Sequence, residues 1–96
     1  MHARVARYQM PPGQVDQGIQ HFTGPSTERV RAMAGFKKAY LLVDRGSGRA
    51  LTVTLWDSEE ALRASDQAAR QVREQSAQQA GGSVTEAELY EVAAEL

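Results

Sequence analysis

The chain contains no cysteine, which excludes disulfides, thiolate nucleophiles, Cys-ligated zinc and iron–sulfur clusters. It has no strong charge of either sign: 11 Lys plus Arg stand against 12 Asp plus Glu, a net −1. A nearly neutral chain lacks a general electrostatic hold on phosphate backbones, which argues against nucleic acid as a partner. Nowhere do about 18 apolar residues run together, so no segment suits a helical membrane span, and no membrane partner is expected. The amino terminus also lacks a signal-peptide core, and these absences together predict a soluble, cytoplasmic chain. What is present is ordinary. Its 96 residues, 42% apolar and 24% charged, match one globular domain over residues 1–96.

The pattern along the chain predicts six elements. Residues His2 to Met10, stopped by Pro11-Pro12-Gly13, read as a strand and turn. Pro12 or Gly13 then opens a helix whose apolar stripe is Val15, Gly18, Ile19 and Phe22. Thr23-Gly24-Pro25 interrupts it, and a second piece resumes at Ser26 or Thr27, so this helix is expected to be kinked or broken. Phe36–Asp44 and Ala50–Trp56 are strands joined by the turn Arg45-Gly46-Ser47-Gly48 into an antiparallel hairpin. Asp57 or Ser58 caps a second helix with Glu59 and Glu60 in its first turn. Its inner face runs through Ala61 or Leu62, Ser65, Ala68 or Ala69, Val72, Gln75 or Ser76, and Ala80, and Gly81-Gly82 ends it. Val84 to Ala93 is a last strand.

The order is β-α-β-β-α-β, the ferredoxin-like α+β arrangement: a four-stranded antiparallel sheet with two helices on one face. Strand alternation assigns Phe36, Tyr40 and Leu42 to one sheet face and Ala39, Leu41 and Val43 to the other, with Leu51, Val53 and Leu55 opposing Thr52, Thr54 and Trp56. Both faces carry apolar residues, yet helices cover only one. A homodimer whose open sheet faces pack together is the expected remedy.

The words Gly35-Phe36-x-x-x-Tyr40-x-x-x-Asp44 and Trp56-x-Ser58-x-Glu60-Ala61-Leu62 resemble the dimeric α+β barrel superfamily, specifically the antibiotic-biosynthesis-monooxygenase-like (ABM) domains. The resemblance implies a dimeric α+β barrel with a ligand pocket between helices and sheet. Its activities include cofactor-free oxidation of polycyclic phenols to quinones and haem degradation. Haem-degrading relatives use an Asn on the first strand and a Trp and a His on the second helix. The matching positions here are Ala6, Ser65 and about Gln75, and the chain has no Asn at all. Haem degradation is therefore disfavoured. RNA-recognition chemistry is disfavoured too, because Ala50–Trp56 lacks a basic lead-in and paired aromatics.

Within that frame the candidate residues are few. His21, beside Phe22 on the first helix, has the side chain suited to a general base, though a half-exposed surface histidine is the plainer alternative. If Ala6 faces the helices, so do His2, Arg4 and Tyr8; Arg4 then either stabilises a substrate anion or pairs with a helix acid such as Asp16. Tyr8, Phe22, Tyr40, Trp56 and Ser65 are the expected pocket walls. Small residues on the second helix (Ala61, Ser65, Ala68, Ala69, Ser76, Ala80) allow either close packing or a cavity. No metal site and no cofactor are expected, since only two His are present. Two functions follow: a cofactor-independent monooxygenase acting on a phenolic or quinol small molecule, or a non-catalytic dimeric barrel that binds a small apolar ligand.

Overall fold

The computed structural model describes residues 1–24, 27–79 and 83–96, with side chains given except at 72, 73, 75–79 and 83–86. The elements are β1 (His2–Gln9), a 3₁₀ turn (Pro12–Gln14), α1 (Val15–Phe22), α2 (Glu28–Arg31), β2 (Phe36–Asp44), β3 (Arg49–Trp56), α3 (Glu59–Ala64), α4 (Asp66–Gln79) and β4 (Ser83–Glu91). The four strands form one antiparallel sheet in the order β2-β3-β1-β4, the ferredoxin-like arrangement. α1 packs on α4, and α3 on β1 and β3. Among the described residues no helix is long and apolar enough to cross a membrane.

The local causes follow the sequence closely. Pro11 precedes the 3₁₀ turn, and Pro12 stands at its start, where a missing amide costs nothing. Thr23 closes α1 by donating its hydroxyl to the Ile19 and Gln20 carbonyls, at 3.0 and 3.2 Å. The first helical segment is broken as expected, although the expected break at Pro25 and restart at Ser26 lie outside the described residues. Ser58, not Asp57, caps α3: its Oγ accepts from the Ala61 amide at 3.1 Å. Asp57 donates its own amide to the Gly35 carbonyl at 2.8 Å. The expected end of the second helix at Gly81-Gly82, Ala80, and the side chains of Val72, Gln75 and Ser76 expected on its inner face also lie outside the described residues.

The register corrects one face assignment. A bulge between Phe36 and Lys38 inserts Lys37, so Phe36 pairs with Trp56 and joins Ala39, Leu41 and Val43 on the helix side. Phe36 meets the Trp56 ring edge-on, centroids 5.5 Å apart and planes at 84°. Tyr40, paired with Val53, stays on the open face with Leu42. Those two are 48% and 52% exposed, so this sheet face is apolar and uncovered.

The second helix also differs from the sequence expectation, being divided into α3 and α4 at Ser65. Backbone bonds from Ser65 to Ala61 (3.1 Å) and from Ala69 to Ser65 (2.9 Å) continue across the division. The core on the helix side falls into two clusters. One holds Ala6, Tyr8, Met10 and Ala50; the other Val30, Trp56 and Leu62.

Candidate functional site

Between those clusters, the helix-side surface of β3 runs Ala50, Thr52, Thr54, Trp56, small and hydroxylated until its last residue. Gly18 on α1 and Ala69 on α4 are as small on the opposite wall. With so little side-chain volume on both sides, helices and sheet do not close. They enclose a cavity of about 620 Å³, within the range of small-molecule sites. Of the small residues expected along the second helix, Ala69 lines this space. Ala61 instead packs on the Trp56 cluster, and Ser65 is fully buried. Both expected outcomes therefore occur, at different turns.

Arg4 organises one end. Its position on β1 turns it beneath the helices, where only 3% of it is exposed. Its Nη2 donates to the Leu62 carbonyl (2.9 Å) and to Ser65 Oγ (3.0 Å), and lies 3.5 Å from Asp66 Oδ1. Ser65 Oγ in turn donates to the Leu62 carbonyl at 2.7 Å. The guanidinium thus sits at the junction of α3 and α4 and satisfies a carbonyl there. Its carbon is 5.9 Å from the centroid of the Trp56 ring, a cation–π contact in a desolvated place. Trp56 Nε1 donates to Thr54 Oγ1 at 3.1 Å.

The acid that pairs with Arg4 is Asp66, on α4. Asp16 instead accepts from Arg45 at 2.8 Å and ties α1 to the β2–β3 turn. In that turn, Asp44 Oδ1 accepts from the Gly46 amide at 3.1 Å. The Asp44 carboxyl is held below the ordinary carboxylate range, chiefly by the Arg49 side chain and then by Ser47 and the Gly46 amide.

Of the residues singled out from sequence, Arg4, Tyr8, Phe22 and Tyr40 line the cavity. Tyr40 reaches it along the edge of β2, while its register sets it on the opposite face. Trp56 and Ser65 stand behind Arg4, fully buried, and are not part of the lining. His21 is half-buried on α1 and outside the lining. Sequence reasoning missed Thr52, Thr54, Lys37 and Lys38, all lining residues. The two threonines were within reach: once Trp56 faces the helices, Thr54 and Thr52 follow by the two-residue strand period. Among the described residues no cluster of three or more His, Cys, Asp or Glu is placed to hold a metal.

A family model described as antibiotic biosynthesis monooxygenase matches residues 1–75. The chain belongs to the ABM family. Among curated relatives, the uncharacterized protein Rv2557 of Mycobacterium tuberculosis is 34% identical over 79 residues, covering 82% of this chain and 35% of that protein. A second from the same organism, Rv2558, is 32% identical over 83 residues, covering 86% of this chain and 35% of its own length. The ABM chain thus spans about 35% of the length of the curated relatives it matches.

Solved structures agree on the architecture. A monooxygenase from the ActVA-Orf6 gene of Streptomyces coelicolor, in complex with nanaomycin D, superposes with a TM-score of 0.76 at 20% identity, covering 99% of this chain and 90% of that one. The heme-degrader MhuD of Mycobacterium tuberculosis, with two hemes in its active site, gives 0.69 at 24% identity, covering 100% and 99%. SnoaB, a cofactor-independent oxygenase from Streptomyces nogalater, gives 0.65 at 15%, covering 99% and 95%. At these identities the likeness establishes the ABM fold.

Proposed function

We propose that this ABM-family chain is a cofactor-independent monooxygenase that oxidises a phenolic or quinol small molecule in the helix–sheet cavity, and that it works as a homodimer closed over the open sheet face. The observation that carries the reading is the cavity itself: about 620 Å³, walled by aromatic and aliphatic side chains, with Arg4 at one end. Four cationic residues and no carboxylate line it among the described residues. Such a field favours the ionised form of a bound phenol, so its proton leaves to solvent without a dedicated base. The phenolate ring passes an electron to O₂, the radical pair combines at a ring carbon, and the resulting hydroperoxide loses water. In sum, phenol and O₂ give quinone and water. Arg4 acts here through its charge, its Nη2 being already engaged by Leu62 and Ser65. Tyr8 and Phe22 serve as walls.

The haem-degrading reading finds no support in the same residues. Ala6 presents a methyl group, Ser65 is committed to Arg4, and the described lining offers no imidazole to an iron; the side chain of Gln75, at the third matching position, lies outside the described residues.

Oxygen uptake with a panel of hydroxylated naphthalenes and anthracenes tests the proposal. Uptake should exceed autoxidation, fall at least tenfold in Thr52→Phe, which fills the cavity, and stay within about twofold in His21→Ala. If no substrate is consumed beyond autoxidation while ligands still bind, the second reading holds, a non-catalytic barrel that binds a small apolar molecule. One observation favours that alternative: no carboxylate or imidazole, the usual proton acceptors, lines the space among the described residues.

A further inference from the structure

The charges around the cavity are not balanced. Arg31 Nη1 is 2.9 Å from Glu28 Oε1, and Arg4 Nη2 lies 3.5 Å from Asp66 Oδ1, so each lining arginine has an acid near it. Lys37 and Lys38 are different. Both are exposed, and neither forms an ion pair among the described residues. They are the only two lysines of the chain, and both line this one cavity. The β2 bulge sets Lys37 at the edge of the sheet directly after Phe36, and Lys38, paired with Leu55, borders the cavity around the same edge from the open face, as Tyr40 does. An apolar interior with two uncompensated ammonium groups at its rim complements a molecule that is apolar over most of its length and negative at one end.

Resting on the reading of the cavity as a ligand site, we infer that its ligand is an organic oxyanion. A flat ring framework lies among Phe22, Val30 and Leu41, and a carboxylate or comparable acid group is met by Lys37 and Lys38. The ammonium groups bind as flexible point charges, so they fix the end at which the acid sits more than its angle. Exposed ion pairs are individually weak, so the two lysines together give only about a threefold to tenfold preference for the charged ligand. That preference is electrostatic and shrinks as salt rises.

Two fluorescent probes with one ring skeleton separate this inference from the reading beneath it: 8-anilino-1-naphthalenesulfonate, which is anionic, and N-phenyl-1-naphthylamine, which is neutral. In the full chain at low ionic strength the anionic probe should bind threefold to tenfold more tightly, and the advantage should fade toward unity near 1 M salt. Lys37→Gln/Lys38→Gln should remove the advantage and leave the neutral probe's affinity unchanged, whereas Arg45→Gln, at the distant hairpin turn, should preserve it. Equal binding of the two probes to the wild type, or an advantage that survives the double lysine variant, overturns the oxyanion inference alone. Binding of both probes that persists in Thr52→Phe, or no binding of either, overturns the cavity as a ligand site, and the oxyanion inference with it.

Discussion

Arg4 is a charge carried into a nearly closed space and held there by groups from a distant part of the chain. Its Ser65 partner is 61 residues away in sequence, so the contact joins the first strand to the helix layer. Replacing it by Met removes the charged donor shared by the Leu62 carbonyl and Ser65 Oγ and leaves those two only their bond to each other. Buried hydrogen bonds from a charged group are worth about 1.5–3 kcal/mol. Because Asp66 is 39% exposed and can rehydrate, the net loss expected for Arg4→Met is about 2–3 kcal/mol, read from the urea midpoint. Arg4→Lys keeps the charge without the planar fork and should fall between. A midpoint unchanged in Arg4→Met would mean that the network is decorative. Asp44 gives a pH test at the same scale. Its carboxyl is depressed in the folded state, so its contribution is complete above the ordinary aspartate value of about 3.9 and is lost as pH falls through the folded value below that. The Gly46 amide, bonded to Asp44 Oδ1, should exchange faster relative to other turn amides at pH 3 than at pH 6, and Asp44→Asn should abolish that difference.

Among the elements, those fixed by local chemistry were legible. Phe36–Asp44 emerges with the expected limits, and the Ser58 cap and the Gly48 turn are where short-range signals put them. Gly48 has φ +78°, and a Cβ there would overlap the Met10 carbonyl. Gly48→Ala is therefore expected to destabilise the hairpin by more than the ordinary cost of about 1 kcal/mol for losing a glycine's freedom, measured by thermal unfolding. The features that escaped have long-range causes. Nothing in Phe36-Lys37-Lys38 announces a bulge, since a bulge is a property of two paired strands; it moved Phe36 to the other face. Nor does Ala64-Ser65-Asp66 contain a helix breaker. The junction there is occupied by Arg4, from another element. The site was half-visible for the same reason. Arg4, Tyr8 and Phe22 follow from strand and helix periods, whereas two lysines on an exposed edge strand look like any solvated edge until the cavity beside them is seen.

For the whole molecule, the uncovered sheet face is the dominant unresolved surface. Val5, Leu51, Val53 and Leu55 are only half-buried there, and Tyr40, Leu42 and Tyr90 are more exposed still. A homodimer is expected to remove this area from water, and Val53→Lys, at the middle of the face, should shift the mass by light scattering from dimer to monomer at micromolar concentration. A stable, well-folded wild-type monomer would sink the dimer.

Trp56 is the only tryptophan and has no exposed surface. Wrapped away from water and backed by a guanidinium that also borders the cavity, its indole should emit at the blue edge of the tryptophan range. It should also be quenched by electron transfer when a quinone arrives nearby. The protein thus carries its own optical gauge of occupancy, one that needs no label and distinguishes a redox-active guest from an inert one.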